Sequence, residues 1–175
     1  MSNKMFFAGS GGQGIMLIGQ MVASAAILEE KDTTFFPSYG PEMRGGTANC
    51  TVIVSDKAIS SSLISESDCI VAMNLPSMLK FEPTIKAGGI MLMNKSLIHQ
   101  APKRSDITIH EIPATDMAQE LGDVRVANII MLGAFVRTTG IVSSDDIETV
   151  IRDTFGVKGQ QIVDLNLKAF HLWKA

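Results

Sequence analysis

Short apolar runs alternate with helical stretches through the first two-thirds of the chain, and helices alone fill the last third. Met5-Phe6-Phe7-Ala8 is an apolar run ended by glycine, which predicts a buried strand. Residues 15–28 read as a helix whose apolar positions do not keep to one stripe. Ile15, Ile18, Val22 and Ala25 share a side, while Met16, Leu17 and Met21 lie on others. Such a helix is buried on more than one face. A polar connection at 29–32 leads to a second strand at 33–36. Residues 48–54 alternate and are β-branched, and Ser55-Asp56-Lys57 is expected to turn them into a hairpin with 58–60, making the sheet mixed. A strand at 69–73 follows. A helix then starts at Asn74-Leu75-Pro76-Ser77 and is expected to end at Lys86-Ala87-Gly88-Gly89. Strands at 90–93 and 107–112 close at Pro113.

The remainder is helical. Thr115 is expected to cap a helix that runs to Glu120 and stops at Gly122. Residues 128–136 are apolar nearly all round, with Gly133 permitting close approach, and Ser143 or Ser144 caps a helix over 145–155. A last helix covers roughly 160–173. The pattern predicts one α/β domain over residues 1–175, Rossmann-like and three-layered, with a mixed, mostly parallel sheet and a helical C-terminal third.

Two polar, glycine-bearing loops interrupt this pattern at strand ends. Gly9-Ser10-Gly11-Gly12-Gln13-Gly14 follows the first strand and precedes a helix. Glycines there let backbone N–H groups approach an anion at the positive end of the helix. The competing reading is a tight turn whose third glycine serves helix–sheet packing. A dinucleotide site also needs an acid at the end of the second strand, and Asp32 lies at that strand's beginning, so NAD binding is not expected. No Lys-Ser/Thr pair follows Gly14, which excludes a Walker loop. The second loop, Ser38-Tyr39-Gly40-Pro41-Glu42-Met43-Arg44-Gly45-Gly46, joins a rigid turn, an acid, a cation and a double glycine. Arg44 suits a carboxylate or phosphate. Its alternatives are an ion pair with Glu42 or a contact with another chain. Tyr39 either joins the site or closes the turn, and Asn74 either joins it or caps a helix. The two loops are expected to share one functional edge.

Composition narrows the classes. A net charge of −3 argues against a nucleic-acid stripe. No apolar run reaches the ~18 residues of a membrane span. Met1-Ser2-Asn3-Lys4 leads straight into a strand without room for a signal peptide, so a cytoplasmic protein is expected. Charged residues make up only 19% of the chain, and eleven residues are methionine. A Met-rich core and a surface buried against a partner both account for this. Cys50 and Cys69 have no metal-ligand spacing and read as buried thiols rather than a disulfide. His99, His110 and His171 lie in unrelated segments, and no nucleophile–base arrangement is present. No catalytic or metal-binding residue is assigned.

The two loops together, with Thr47-Ala48-Asn49-Cys50, Ala72-Met73-Asn74-Leu75-Pro76-Ser77, Ile112-Pro113-Ala114-Thr115 and Val126-Ala127-Asn128-Ile129-Ile130-Met131-Leu132-Gly133, resemble the gamma subunit of 2-oxoacid:ferredoxin oxidoreductases over nearly the whole chain. The resemblance implies one subunit of an enzyme that decarboxylates a 2-oxoacid and makes an acyl-CoA. Alpha and beta subunits would bind thiamine diphosphate and magnesium. A ferredoxin-like delta subunit would carry iron–sulfur clusters and pass electrons to ferredoxin. This chain lacks the thiamine motif, and two cysteines cannot hold a four-cysteine cluster. Its expected part is structural and on the CoA side, through Gly9, Gly11, Gly12, Gln13, Gly14, Tyr39, Arg44, Gly45, Gly46 and Asn74. The second loop looks closer to the 2-oxoglutarate and 2-oxoisovalerate members than to the pyruvate ones, with 2-oxoglutarate placed first. Self-association of the isolated chain is expected from its apolar helices. The alternatives of another class are a stand-alone nucleotide-binding enzyme and a regulatory interaction module.

Overall fold

The strands Ser2–Ser10 (β1), Asp32–Tyr39 (β2), Thr47–Ser55 (β3), Ser67–Ala72 (β4), Ile85–Asn94 (β5) and Thr108–Ile112 (β6) form one sheet. The computed structural model describes residues 1–39, with Tyr39 by its backbone alone, and 47–174. The strand order is β2-β3-β1-β4-β5-β6. The β1–β4, β4–β5 and β5–β6 pairs are parallel, and β3 runs antiparallel to both β1 and β2. The sheet is mixed and mostly parallel, as expected. Helices Ile15–Leu28 (α1), Ala114–Leu121 (α3), Ala127–Thr139 (α4), Ser144–Phe155 (α5) and Gln160–Leu172 (α6) contribute to the core on one face. The short helix Leu75–Phe81 (α2) and loop residues cover the other.

Alternation along the strands divides the core. Met5, Phe7, Val52, Val71 and Leu92 face the large helical layer, where the Phe7 ring meets Phe135 of α4 edge-on at 5.2 Å. Phe6, Ile70, Met91 and Met93 face the opposite side, where Phe6 packs on Phe81 of α2 at 4.7 Å. Successive strand residues point to opposite faces, so the neighbouring Phe6 and Phe7 feed two separate cores.

Three local expectations are corrected. Residues 58–60 do not form a hairpin arm, because both edges of β3 are already taken by β1 and β2. The hairpin lies one connection earlier, between β2 and β3. The helix begun at Asn74 ends at Phe81, where Pro83 enters a short 3-10 turn. Its expected glycine stop is instead inside β5. The β4–β5 register slips between Ser67 and Cys69, and Gly88 takes a φ of 77° across that irregularity. Such a bulge needs an extra residue that a glycine accepts without strain. Finally, Thr115 does not cap α3. Its Oγ1 accepts a hydrogen bond from Asn94 Nδ2 at 2.9 Å, and Ser96 Oγ accepts from Asp116 N at 3.0 Å instead.

The apolar surplus is largely internal. Every residue from Ala127 to Val136 in α4 is buried, with α3, α5 and α6 closing the side that the sheet leaves open. The surplus on α4 is therefore no interface, and the case for self-association shrinks to the last turn of α1. There Ile27 is 61% exposed and Leu28 52%.

Both cysteines are free and buried, in β3 and β4. Burial pushes the Cys50 thiol up to about 12, and burial followed by the charge of Asp68 raises that of Cys69. Unfolded thiols ionise near about 8.5. Above that pH the unfolded chain releases protons that the native one retains, so stability falls as pH rises towards the native values. Urea unfolding at pH 7.5 and 9.5 should show a loss of about 1 kcal/mol per thiol at the higher pH. The Cys50→Ala, Cys69→Ala double variant should not show this pH-dependent loss. An equal decline in that variant would place the alkaline sensitivity elsewhere.

Candidate functional site at the C-terminal rim of the sheet

β1 ends at Ser10 opposite Thr47, the first residue of β3, and Tyr39 closes β2 opposite Ala48. The glycine loop and the strand ends Tyr39 and Thr47 therefore lie at the same rim of the sheet. They are neighbours through β3, not through β2, which stands one strand away from β1. Arg44, Gly45 and Gly46 lie outside the described residues, as does the Tyr39 side chain. On the other flank of β1, Met73 N donates to Ala8 O at 2.9 Å, which sets Asn74 beside the glycine loop. The chain leaves β1 towards one face through α1 and leaves β4 towards the other through α2. The crevice between those two strand ends is a topological switch point, where α/β sheets bind ligands.

Within the loop the residues divide by task. A Cβ on Gly9 would stand 2.7 Å from Gln13 Oε1 and 3.0 Å from Met73 Cβ, so this position is used for packing. Gln13 Oε1 accepts hydrogen bonds from Ser10 N at 2.7 Å and Ser10 Oγ at 3.0 Å, closing the turn from inside. Gly14 stands before α1 in the left-handed conformation, at φ 70° and ψ 26°. Its missing Cβ leaves room for Asn128 of α4, so it serves helix–helix rather than helix–sheet packing. Gly11 and Gly12 remain exposed. Asn74 caps α2, its Oδ1 accepting from Ser77 N at 3.0 Å.

The start of α1 has no side-chain cap and no acid in its first turn. An α-helix offers no internal acceptor to its first N–H groups, here those of Ile15, Met16 and Leu17. With the positive end of the helix dipole they favour negative charge. A cavity of about 290 Å³ adjoins this terminus, lined among others by Gly12, Gly14, Arg125, Asn128 and Lys158. Arg125 grips Asp123 through Nε and Nη2, at 2.9 and 2.7 Å, and holds that carboxyl below the usual carboxylate range. Asp32 opens β2 at the opposite rim and accepts from Ile59 N at 3.3 Å. It is thus at the wrong end to read a ribose, and β2 is not the neighbour of β1 that a dinucleotide fold requires.

The histidines do not converge on the rim. His110 stacks edge-on with Trp173 at 6.3 Å, and His171 bridges Arg137 and Glu148. Among the described residues no three His, Cys, Asp or Glu side chains are gathered around a metal position. Asn128 is the residue that the sequence pattern missed. Its signal was available: one asparagine inside a helix apolar all round needs a buried partner.

The model of the family described as pyruvate ferredoxin/flavodoxin oxidoreductase matches residues 4–172. The chain belongs to that family. Its relatives in the pyruvate ferredoxin/flavodoxin oxidoreductase family include the 2-oxoglutarate synthase subunit KorC of Methanocaldococcus jannaschii. That protein is 36% identical over 173 residues, which cover 97% of this chain and 91% of KorC. The ketoisovalerate oxidoreductase subunit VorA of Methanothermobacter marburgensis is 37% identical over 167 residues, 94% of this chain. Against VorA the chain spans only about a third of the relative's length, 34%. The gamma subunit of a keto/oxoacid ferredoxin oxidoreductase from Geobacter sulfurreducens superposes with a TM-score of 0.81 at 31% identity. The match covers 97% of this chain and 95% of that one. The kinship with 2-oxoacid:ferredoxin oxidoreductase gamma subunits, expected from the two loops, is borne out.

Proposed function

We propose that the chain is the gamma subunit of a multi-subunit 2-oxoacid:ferredoxin oxidoreductase. The complex oxidatively decarboxylates 2-oxoglutarate to its acyl-CoA in the cytoplasm. Alpha and beta subunits hold thiamine diphosphate and magnesium, a ferredoxin-like delta subunit holds the iron–sulfur clusters, and ferredoxin takes the electrons. The choice of 2-oxoglutarate leans on KorC, which this chain matches nearly end to end. The second reading, 2-oxoisovalerate, leans on VorA at similar identity. The residues fit this division of labour. The only cysteines, Cys50 and Cys69, are buried inside the sheet and cannot supply four cluster ligands.

The observation that carries the proposed role is the uncapped start of α1, set at the rim where β2 ends at Tyr39 and β3 begins at Thr47, the two residues that flank the Arg44 segment in sequence. Backbone N–H groups and a guanidinium are the donors that phosphates of CoA would need. This chain would bind and orient CoA from that rim, while bond-making belongs to the thiamine-bearing subunits. Arg44→Ala in the assembled enzyme should raise the KM for CoA, with a loss of about 1.5–3 kcal/mol for one charge-assisted bond. Its melting temperature should stay close to that of the parent. An unchanged CoA dependence with a large fall in melting temperature would make Arg44 a structural residue. The stand-alone nucleotide enzyme is disfavoured by the position of Asp32 and by the strand that separates β1 from β2.

A further inference from the structure

We propose that Asn128 is a positioning residue for the anion seat at the start of α1, acting through Gly14 rather than by touching the ligand. The inference rests on that helix start being the seat for CoA phosphate. Asn128 is 5% exposed and lies 114 positions from Gly14 in sequence. Both ends of its amide are engaged. Nδ2 donates to Gly14 O at 3.2 Å, and Oδ1 accepts from Ile129 N at 2.9 Å, one of the first N–H groups of α4. One side chain thus joins the start of α4 to the start of α1.

The consequence follows from peptide planarity. Gly14 C=O and Ile15 N–H belong to one rigid plane and point in opposite directions. Gly14 O is held by two donors, Asn128 Nδ2 at 3.2 Å and Ile18 N at 3.3 Å. Fixing that oxygen aims the Ile15 N–H out of the helix end. The space where a Gly14 Cβ would lie is filled by the same amide, since such an atom would stand 2.2 Å from Asn128 Nδ2. The left-handed Gly14 conformation is therefore enforced by α4 as well as by the turn itself. Without the Asn128 donor, Gly14 O keeps only the 3.3 Å bond from Ile18 N, and the plane that aims the Ile15 N–H is held more loosely.

The test uses the assembled complex carrying Asn128→Asp or Asn128→Ala, in 2-oxoacid- and CoA-dependent reduction of a viologen dye. Asn128→Asp is nearly isosteric but turns a carboxylate oxygen towards Gly14 O. The KM for CoA should rise roughly fivefold to twentyfold in both variants, the range expected for one lost hydrogen bond. The KM for the 2-oxoacid and kcat should change by less than about twofold, since the residue is proposed to act on the CoA seat alone. Lowering the pH should relieve the defect of Asn128→Asp, because the protonated carboxyl again donates to Gly14 O, and should leave that of Asn128→Ala unchanged. Gly12→Ala, on the exposed side of the loop, separates the two levels of the argument. If Gly12→Ala raises the KM for CoA and the Asn128 variants do not, the loop is the seat and Asn128 has no positioning part. If none of the three does, the seat itself is refuted. Failure of Asn128→Asp to assemble even at low pH would assign the residue to fold maintenance and overturn the proposal.

Discussion

Gly133→Ala should lower the stability of this protein by about 2–3 kcal/mol, although alanine is the better helix former by ~1 kcal/mol. Gly133 lies at the middle of α4, where the backbone of α6 passes directly over it. A Cβ there would stand 2.0 Å from Phe170 O and 2.9 Å from Phe170 C, both backbone atoms that cannot rotate away. The helices must separate, and with them the bond from Arg137 Nη1 to Phe170 O at 2.8 Å, which satisfies a carbonyl in the last turn of α6. Overpacking of this kind typically costs 1–3 kcal/mol and occasionally more, so the clash outweighs the gain in helix propensity. For a domain of this size the melting temperature should fall by roughly 6–10 °C. Gly156→Ala is the control: its φ of −55° suits alanine, and nothing lies within 4 Å of the added carbon. That variant should be neutral or slightly stabilising. A Gly133→Ala protein as stable as the parent would mean that α4 and α6 do not meet as closely as described.

The sequence foretold local elements better than the contacts between distant ones. α1 was readable to the residue, because Gly14 and the polar Glu29-Glu30 bound it on both sides. α2 was not, since the Gly88-Gly89 pair read as its stop, and only pairing with β4 shows that the glycines bulge a strand. The place of β3 was hidden for a related reason. A strand with alternating β-branched residues shows that it is paired, but not with whom: here the partners are β2, which precedes it, and the distant β1, rather than the segment after its C-terminal turn. The rim site was partly legible, because glycine spacing after a strand carries its own physical meaning. What that spacing could not show was division of labour: Gly9 and Gly14 are occupied by packing, while Gly11 and Gly12 stay open. Asn128 escaped because its partner is 114 residues away, and no local pattern names such a partner. The apolar girth of α4 misled in the same way, for what covers it comes from three later or earlier helices rather than from another chain.

The second large effect is all-or-none, and it bears on the central claim that this chain is a working part rather than a whole enzyme. Among the described residues its rim offers N–H donors, but no thiolate at the surface and no nucleophile with a base beside it. Nothing among these groups can carry the electron pair released when a 2-oxoacid loses carbon dioxide. The direct test is viologen-dye reduction with 2-oxoglutarate and CoA, run first on the purified chain and then on the chain combined with the proposed thiamine-binding and ferredoxin-like subunits. The account predicts no turnover above background from the chain alone and CoA-dependent turnover from the combination. Reduction by the purified chain without partners, dependent on both substrates, would contradict it.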